Sequence, residues 1–344
     1  MALTLLIVTG FAILLPYAIY PGIVALLARG RSAPQPKDGF TPLATVLIVA
    51  HNEQQAIAEK LRVIRGLDYP ADRLHVVVAS DGSTDGTVAA VRAVGDSRIR
   101  VIDLPERRGK AAAINRVLPY LRGEVVLFTD VRQDLDPSSL RRLAGYFADP
   151  DVGCVSGRLV IGDADDTGDR TNRVGMYWNM EVTLRTMEAR LCNTVGATGA
   201  IYAVRRRLLG LIPDDTLLDD VVIPMRCIRE GARVLYDPEA VAWDTPMDAA
   251  QEARRKLRTL GGNYQMLHRP KLYATPTRGA MAWMFFGHKA SRLLVPYALV
   301  GHFMASALLM GSAAGAVWFG VQCAAYGSAG LCAALRRFGV RVKG

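Results

Sequence analysis

The chain has few cysteines, and their spacing suits neither a disulfide framework nor a metal site. None of the five forms a C-x-x-C pair, and an odd number cannot be fully paired in disulfides. We interpret them as small buried hydrophobic residues in a reducing compartment. They are Cys154, Cys192, Cys227, Cys323 and Cys332.

The sequence also lacks a basic run interleaved with aromatic residues, although the chain as a whole is basic. It has 42 Lys and Arg against 32 Asp and Glu, for a formal net charge of +10. This charge suits nucleic acid, an anionic membrane surface or a phosphorylated substrate. The basic residues that stand out flank apolar segments, so no nucleic-acid partner is expected. They are Arg29 and Arg31, and then Arg336, Arg337, Arg341 and Lys343.

Charge is absent from residues 3–28, which are long enough to cross a bilayer. A signal peptide carries its positive charges before the apolar stretch, whereas here they follow it. The pattern predicts a transmembrane helix over residues 1–30. By the positive-inside rule, the domain that follows lies in the cytoplasm.

A second uncharged stretch runs from Leu293 to Leu335 and is too long for one span. It predicts two transmembrane helices over 293–335 with a turn near Gly311–Gly315, and then a basic cytoplasmic tail at 336–344. Before it, residues 279–292 mix aromatic and basic side chains, which favours an amphipathic helix at the membrane interface. A surface helix packed on the soluble domain has the same pattern. We therefore expect a multi-pass protein of the inner (plasma) membrane.

Between the apolar ends, short apolar runs alternate with helical patterns over residues 41–270. The runs resemble buried strands and lie at 43–50, 74–80, 98–104 and 124–130. Helical patterns follow them at about 54–66, 84–94, 109–121 and 137–148. The alternation predicts an α/β domain with a mainly parallel, Rossmann-like sheet. Ligands of such sheets bind beyond the carboxyl ends of the strands.

Three of the predicted strands end in carboxylates, Glu53, Asp81 and Asp130. Carboxylates accept hydrogen bonds from ribose hydroxyls, and one can hold Mg²⁺ or Mn²⁺ against a diphosphate. The pattern therefore favours binding of a hydroxylated, metal-bridged molecule. Lys110 begins a predicted helix, where it could meet a phosphate, although a solvated lysine has the same pattern.

These motifs occur in an order that closely resembles the family 2 glycosyltransferases of GT-A fold. The order is VLIVAHNE, VVASDGSTDGT, RRGKAAAIN, FTD, ATGA and LLDDVVIPMRCIREGARVLYDPEAVAWD. The apolar ends are similar to the membrane helices of cellulose-synthase-like and hyaluronan-synthase-like members. The resemblance implies a catalytic GT-A domain over 41–270. It also implies inverting, metal-dependent transfer from a nucleotide-diphosphate sugar, above all a UDP-sugar, to an acceptor hydroxyl of a lipid or glycan.

The resemblance also implies the site residues. The predicted donor-binding residues are His51, Asn52, Glu53, Asp81, Lys110, Asp130, Arg132, Arg255 and Arg258. Asp130 is the expected ligand of a divalent metal, Mg or Mn. Arg132 stands where the family usually has a second carboxylate, so we expect Asp130 to hold the ion with fewer protein ligands and Arg132 to offset diphosphate charge directly.

The catalytic base implied by the resemblance is Asp220, next to Asp219 in the acceptor site. A carboxylate there can take the proton of the attacking hydroxyl. The acceptor loop includes Thr198 and Gly199. Arg255 and Arg258 match part of a Q-x-x-R-W motif of processive synthases, but Thr259 replaces its Trp, so transfer of one sugar or a short run is favoured. The open alternatives are a processive polysaccharide synthase and a non-catalytic membrane protein that binds nucleotide sugars.

Overall fold

A computed structural model of the chain describes residues 1–162, 176–273 and 275–337. The chain divides into two compact units. One comprises Met1–Gly22 together with the chain from Phe286 onward, and the other comprises Ile23–Phe285. The larger unit contains the predicted α/β domain.

Eight strands form a single mixed sheet in the larger unit. They are β1 (Ala44–Ala50), β2 (Leu74–Asp81), β3 (Ile99–Leu104), β4 (Val125–Phe128), β5 (Asp134–Leu135), β6 (Val152–Ile161), β7 (Tyr202–Arg205) and β8 (Arg233–Asp244). Their order across the sheet is β3-β2-β1-β4-β7-β6-β8-β5. The α/β prediction is confirmed, and strands β1 to β4 are parallel. The second half is mixed, because β7 runs antiparallel to β4 and β6, and β5 antiparallel to β8.

Helices connect the strands and cover the sheet. In this unit they are α3 (Ile57–Arg65), α4 (Thr87–Ala93), α5 (Lys110–Val117), α6 (Ser139–Gly145), α7 (Met176–Leu191), α8 (Asp219–Arg229), α9 (Ala249–His268) and α10 (Gly279–Phe285). The predicted apolar runs form the core, where Val46 and Ile48 of β1 pack with Ile57 and Leu61 of α3, all fully buried. Burying each such side chain contributes about 1.5–3 kcal/mol to the stability of the fold. This packing fixes the strand ends, which the predicted site residues follow.

The smaller unit is helical. Its elements are α1 (Ala2–Leu14), the start of α2 (Tyr20–Ala28), α11 (Ser291–Leu308) and α12 (Ala313–Arg337). His302 of α11 joins three helices, since its Nδ1 lies 3.0 Å from Thr9 Oγ1 and its Nε2 accepts from Trp318 Nε1–H at 3.1 Å. The break between α11 and α12 falls at Leu309–Ser312, close to the turn predicted from the sequence.

One helical segment in the described part of the chain, Ala2–Ala28, is long and apolar enough to cross a membrane by length and composition. The predicted spans over 293–335 coincide with α11 and most of α12 and stay a prediction. The predicted interfacial helix at 279–292 consists of α10, a π-helical turn at 286–290 and the start of α11. In it, Met284 is buried and lies 3.7 Å from Cys192 of the same unit (Sδ to Sγ). The predicted basic tail at 336–344 lies, from residue 338 on, outside the described residues.

Candidate active site

The loops that follow β1 and β2 hold each other through reciprocal hydrogen bonds. Asn52 Oδ1 accepts from the Thr84 N–H at 2.9 Å, and Thr87 Oγ1 accepts from the Glu53 N–H at 2.8 Å. Asn52 has a φ of 55°, a left-handed conformation that asparagine tolerates better than most residues. Burial and the nearby Asp85 raise the pKa of Glu53 above its ordinary value. Asn52 and Glu53, two of the predicted donor-binding residues, thus belong to a pair of loops that hydrogen-bond to each other at the sheet edge. We call this pair the double loop.

Asp81 organises a third loop. Its carboxylate is almost fully buried and accepts from the Arg108 N–H at 2.9 Å and the Gly109 N–H at 2.8 Å. A Cβ on Gly82 would lie 2.2 Å from a backbone nitrogen of the facing turn, and the φ of +61° also requires glycine. The Asp81 carbonyl accepts from His51 Nδ1–H at 2.8 Å, because a carbonyl cannot donate. Contact of Asp81 and His51 with a nucleotide stays a prediction.

Lys110 lies at the centre of a charged cluster formed by strand and helix ends. Its Nζ is 2.8 Å from Asp130 Oδ1 and 3.3 Å from Asp219 Oδ2. Burial opposes the charged ammonium, but Asp130 and Asp219 outweigh it and raise the pKa of Lys110. The Tyr202 hydroxyl donates to Asp219 Oδ2 at 3.3 Å, and its ring stacks on Phe128 with centroids 4.6 Å apart. The sequence predicted three of these residues, and the structure brings them together.

Asp220 faces the predicted acceptor loop. The Ala197 N–H donates to the Asp220 carbonyl at 2.6 Å, and a Cβ on Gly199 would lie 3.0 Å from Asp220 Oδ2. The Thr198 N–H donates to Ser156 Oγ at 2.8 Å, which fixes the loop to β6. Glycine at position 199 therefore lets the loop backbone reach the carboxylate that the sequence resemblance names as the base.

Arg132 is engaged with a partner that the sequence did not indicate. Its guanidinium forms an ion pair with Asp244, the last residue of β8, and Gln133 Nε2–H donates to the same Asp244 oxygen at 2.9 Å. Asp244 is almost fully buried. The Arg132 side chain is 42% exposed, so part of the guanidinium remains open to a ligand while its position is fixed.

The residues present suit a metal that a substrate helps to hold. Within the described residues, no group of three His, Cys, Asp or Glu side chains could bind a metal on its own. The Asp130 carboxylate is 43% exposed and offers one protein ligand. Mg²⁺ commonly binds through one or two carboxylates together with substrate phosphates. The donor chemistry therefore fits an ion shared between Asp130 and a diphosphate.

Lys60 supports the loop that carries Asp130, a role that the sequence did not reveal. It is 2% exposed, and its ammonium donates to Thr129 Oγ1 at 2.9 Å and to the Gln133 carbonyl. Burial lowers the pKa of Lys60 to about 8. A single lysine in an amphipathic helix usually lies in solvent, so its sequence position gave no signal.

A buried ion pair on α7 contacts the predicted acceptor loop. This ion pair was not predicted from the sequence. Arg185 Nη1–H donates to Thr198 Oγ1 at 3.2 Å, and its Nε–H donates to Glu181 Oε1 at 3.1 Å. Both side chains are buried. Burial opposes the charged guanidinium, but the charge of Glu181 outweighs it and raises the pKa of Arg185. The i, i+4 spacing of the two charges on one helix was the available signal.

The two arginines predicted at the donor diphosphate lie on α9. Arg255 makes two hydrogen bonds to Glu252 on its own helix, each 2.8 Å long. Arg258 lies on an exposed part of the same helix. Their contact with a donor stays a prediction.

One family model and several known proteins match this chain. Residues 45–211 match the family model described as Glycosyl transferase family 2. The chain is 27% identical over 217 residues to the probable glycosyltransferase YdaM of Bacillus subtilis, covering 59% of this chain and 50% of that protein. It is 29% identical over 223 residues to a beta-monoglucosyldiacylglycerol synthase of Trichormus variabilis, covering 60% of this chain and 46% of that protein. The chain thus spans about half the length of these curated relatives.

A solved structure shares the fold. The mannosyltransferase PcManGT of Pyrobaculum calidifontis, determined with GDP-Man and Mn²⁺, superposes with a TM-score of 0.71 at 24% identity. The match covers 94% of this chain and 96% of that one. The likeness supports the GT-A-like arrangement of the sheet.

Proposed function

Because residues 45–211 form a domain of glycosyl transferase family 2, we propose that this protein is a glycosyltransferase. It transfers a sugar from a nucleotide-diphosphate sugar to an acceptor hydroxyl and inverts the anomeric carbon. The observation that carries the proposal is the position of Asp220, whose carboxylate lies against the backbone of the loop at Gly199. An acceptor seated on that loop would present its hydroxyl to a carboxylate.

The reaction needs a base and a stabilised leaving group. The acceptor oxygen attacks the anomeric carbon, the bond from that carbon to the diphosphate oxygen breaks, and the hydroxyl proton passes to the Asp220 carboxylate. Beside this base, Lys110 contacts Asp219 and Asp130 at 3.3 and 2.8 Å.

The double loop at Asn52 and Glu53, together with the Asp81 turn, forms the proposed nucleotide site. Its internal hydrogen bonds hold the loops in one arrangement, which would reduce the ordering entropy lost on binding. Arg132, Arg255 and Arg258 supply positive charge for the diphosphate. A divalent ion, Mg²⁺ or Mn²⁺, held by Asp130 and the donor phosphates would stabilise charge on the leaving diphosphate.

A membrane lipid is the proposed acceptor, with a glycan as the second possibility. A relative of the chain is named beta-monoglucosyldiacylglycerol synthase, and Ala2–Ala28 is long and apolar enough to cross a bilayer. We add two spans at α11 and α12, which makes the protein multi-pass. Arg29 and Arg31 after the first span favour a cytoplasmic catalytic domain.

A donor screen tests the function. Full-length protein in detergent is incubated with UDP- and GDP-sugars, with Mg²⁺ or Mn²⁺ or with a chelator, and free nucleoside diphosphate is measured. We expect release with one donor class, faster with a lipid acceptor and abolished by Asp220→Asn. Long polymeric products would identify a processive synthase instead. Tight donor binding without release from any donor would identify a non-catalytic binding protein.

A further inference from the structure

The segment at residues 212–218 leads directly into α8, where Asp219 and Asp220 occupy the first turn. It forms none of the eight strands and no helix, so its backbone groups need partners from elsewhere. Two amide side chains supply them, Asn115 from α5 and Gln265 from α9. Asn115 ends the sequence motif RRGKAAAIN and Gln265 lies near the end of α9, and the proposed reaction gives neither side chain another role.

Asn115 holds the beginning of the segment. Its Oδ1 accepts from the Ile212 N–H at 3.0 Å, and its Nδ2 donates to the Ile212 carbonyl at 2.7 Å. The same Nδ2 donates to Asp214 Oδ1 at 2.7 Å. A single side chain thus satisfies both backbone groups of Ile212, much as a neighbouring strand would. Asn115 also lies on the helix that begins at Lys110.

Gln265 holds the end of the segment in the same way. Its Oε1 accepts from the Leu217 N–H at 3.1 Å, and its Nε2 donates to the Asp215 carbonyl at 2.7 Å. The Asp215 carboxylate in turn accepts from the Tyr273 hydroxyl at 2.8 Å. The segment is therefore tied to the α9 region through backbone and side chain.

Gly262 brings α9 close enough for these contacts. A Cβ at this buried position would lie 2.4 Å from Leu218 Cγ and 3.2 Å from Leu217 Cβ. Leu218 is the N-cap of α8, and its carbonyl accepts from the Val222 N–H at 3.0 Å. Any displacement of Leu217 and Leu218 would therefore move the first turn of α8.

We propose that Asn115 and Gln265 are positioning residues that fix the 212–218 segment and so set the place of Asp220 against the acceptor loop. The inference rests on the proposed function, because it assigns work to the proposed base. Neither side chain touches the carboxylates of Asp219 or Asp220 in the contacts described above. Their effect passes through the backbone of residues 212–218.

The test compares Gln265→Met with Gln251→Met. Both changes replace the same residue type on α9, but Gln251 is exposed and lies near the helix start, about three turns from the segment. Asn115→Leu provides the second clamp variant. For Gln265→Met and Asn115→Leu we expect kcat to fall about tenfold or more, with the donor KM changed less than about threefold. Gln251→Met should behave as wild type.

Gln265→Glu distinguishes a hydrogen-bonding role from a packing role, because only hydrogen bonding would make the kcat of this variant depend on pH. Its carboxylate can accept from the Leu217 N–H but cannot donate to the Asp215 carbonyl, whereas the protonated form can do both. The ratio of its kcat to that of the wild type should therefore rise as the pH falls from about 7.5 towards the carboxyl pKa. A ratio independent of pH, or wild-type kcat in Gln265→Met, would overturn the proposal. So would a loss of activity that merely follows a lowered melting temperature.

Hydrogen exchange separates this inference from the proposed function. In the wild type, the Leu217 amide should be protected, and protection should fall in Gln265→Met but not in Gln251→Met. If the wild type releases no nucleotide from any donor, the proposed function fails. Exchange at Leu217 then decides by itself whether the clamp exists, and equal exchange in all three proteins would refute it.

Discussion

Asp219 and Asp220 are neighbours in sequence, but their side chains lie in different surroundings. Asp219 is 7% exposed and is bound by Lys110 and Tyr202. Asp220 is less buried and faces the loop at Gly199. The first carboxylate holds the cluster together, and the second is the proposed base.

We expect Asp220→Asn to lower transfer by about 100-fold or more, because an amide cannot accept the proton. Nucleotide binding and the melting temperature should stay close to wild type. Asp219→Asn should instead lower the melting temperature, because Lys110 loses a buried partner. Calorimetry with the nucleotide, nucleotide release and thermal unfolding measure these effects. Asp72→Asn, on an exposed turn, is the control, and full turnover by Asp220→Asn would contradict the base assignment.

Lys60 predicts a pH dependence of stability. Burial lowers its pKa from 10.5 to about 8 in the folded protein. Between these values the unfolded chain binds the proton and the folded protein does not, so stability rises with pH through this window. The full difference is about 3 kcal/mol, present above pH ~10.5 and lost as the pH falls through ~8.

Lys60→Met lacks this titration and serves to measure it. The free energy of unfolding of the wild type, relative to Lys60→Met, should increase by about 2 kcal/mol as the pH is raised from about 8 to 10. Lys37→Met, an exposed lysine, should show no such trend. A constant difference between wild type and Lys60→Met would mean that Lys60 titrates normally.

The predictable part of the site is the part that local patterns determine. The positions of Asp81 and Asp130 at one edge of the sheet were predicted because each lies at the end of an apolar strand of a parallel sheet, and such ends meet at one edge. The partner of Arg132 was not found, because Asp244 ends a strand 112 residues further along the chain. The roles of Lys60 and Gln265 were not predicted for the same reason, since only tertiary contacts distinguish these residues from solvated helix residues.

At the scale of elements, the double loop after β1 and β2 shows how the site is held without a regular secondary structure. Its hydrogen bonds run between Asn52, Glu53 and residues 84–87. The left-handed Asn52 makes the turn that aligns them. The backbone conformation and the side-chain contact can be separated by mutation.

We expect Asn52→Ala to be more destabilising than Asn52→Gly. Both variants lose the hydrogen bond to the Thr84 N–H, but alanine also carries the cost of a left-handed conformation, about 1 kcal/mol. The difference should appear in thermal unfolding and in a weaker affinity for the donor nucleotide. If the two variants are equally stable, the left-handed conformation at residue 52 contributes little.

The elements themselves were predicted unevenly. Strands β1 to β4 and the helices between them follow the simple alternation of apolar runs and amphipathic stretches. The second half does not: β7 has four residues and β5 has two, and the longer strands β6 and β8 were also not predicted. Short antiparallel strands carry too few residues for a pattern, and their pairing with β4 and β8 depends on contacts distant in sequence.

At the scale of the whole molecule, the chain combines an α/β unit with a helical unit. The helical unit joins the two apolar ends, since α1 packs on α11 and His302 bonds to both Thr9 and Trp318. Sequence reasoning found both apolar ends but could not show that they pack together. Interhelical polar contacts of this kind, together with close packing, stabilise helix association wherever helices lie in a bilayer, because the hydrophobic effect gives no preference there between helix and lipid.

The proposed topology makes a prediction about two serines on either side of the membrane. With three spans and a cytoplasmic catalytic domain, Ser32 lies inside the cell, and Ser312, in the turn between α11 and α12, lies outside. Both residues are exposed in the structure. In a variant whose five native cysteines are replaced, Ser312→Cys should react with a membrane-impermeant thiol reagent in intact cells. Ser32→Cys should react only after permeabilisation.

Each serves as the control for the other, because the residue change and the chemistry are the same. Reaction of Ser32→Cys but not Ser312→Cys in intact cells would reverse the position of the catalytic domain, and protection of both would mean that α11 and α12 do not cross the bilayer.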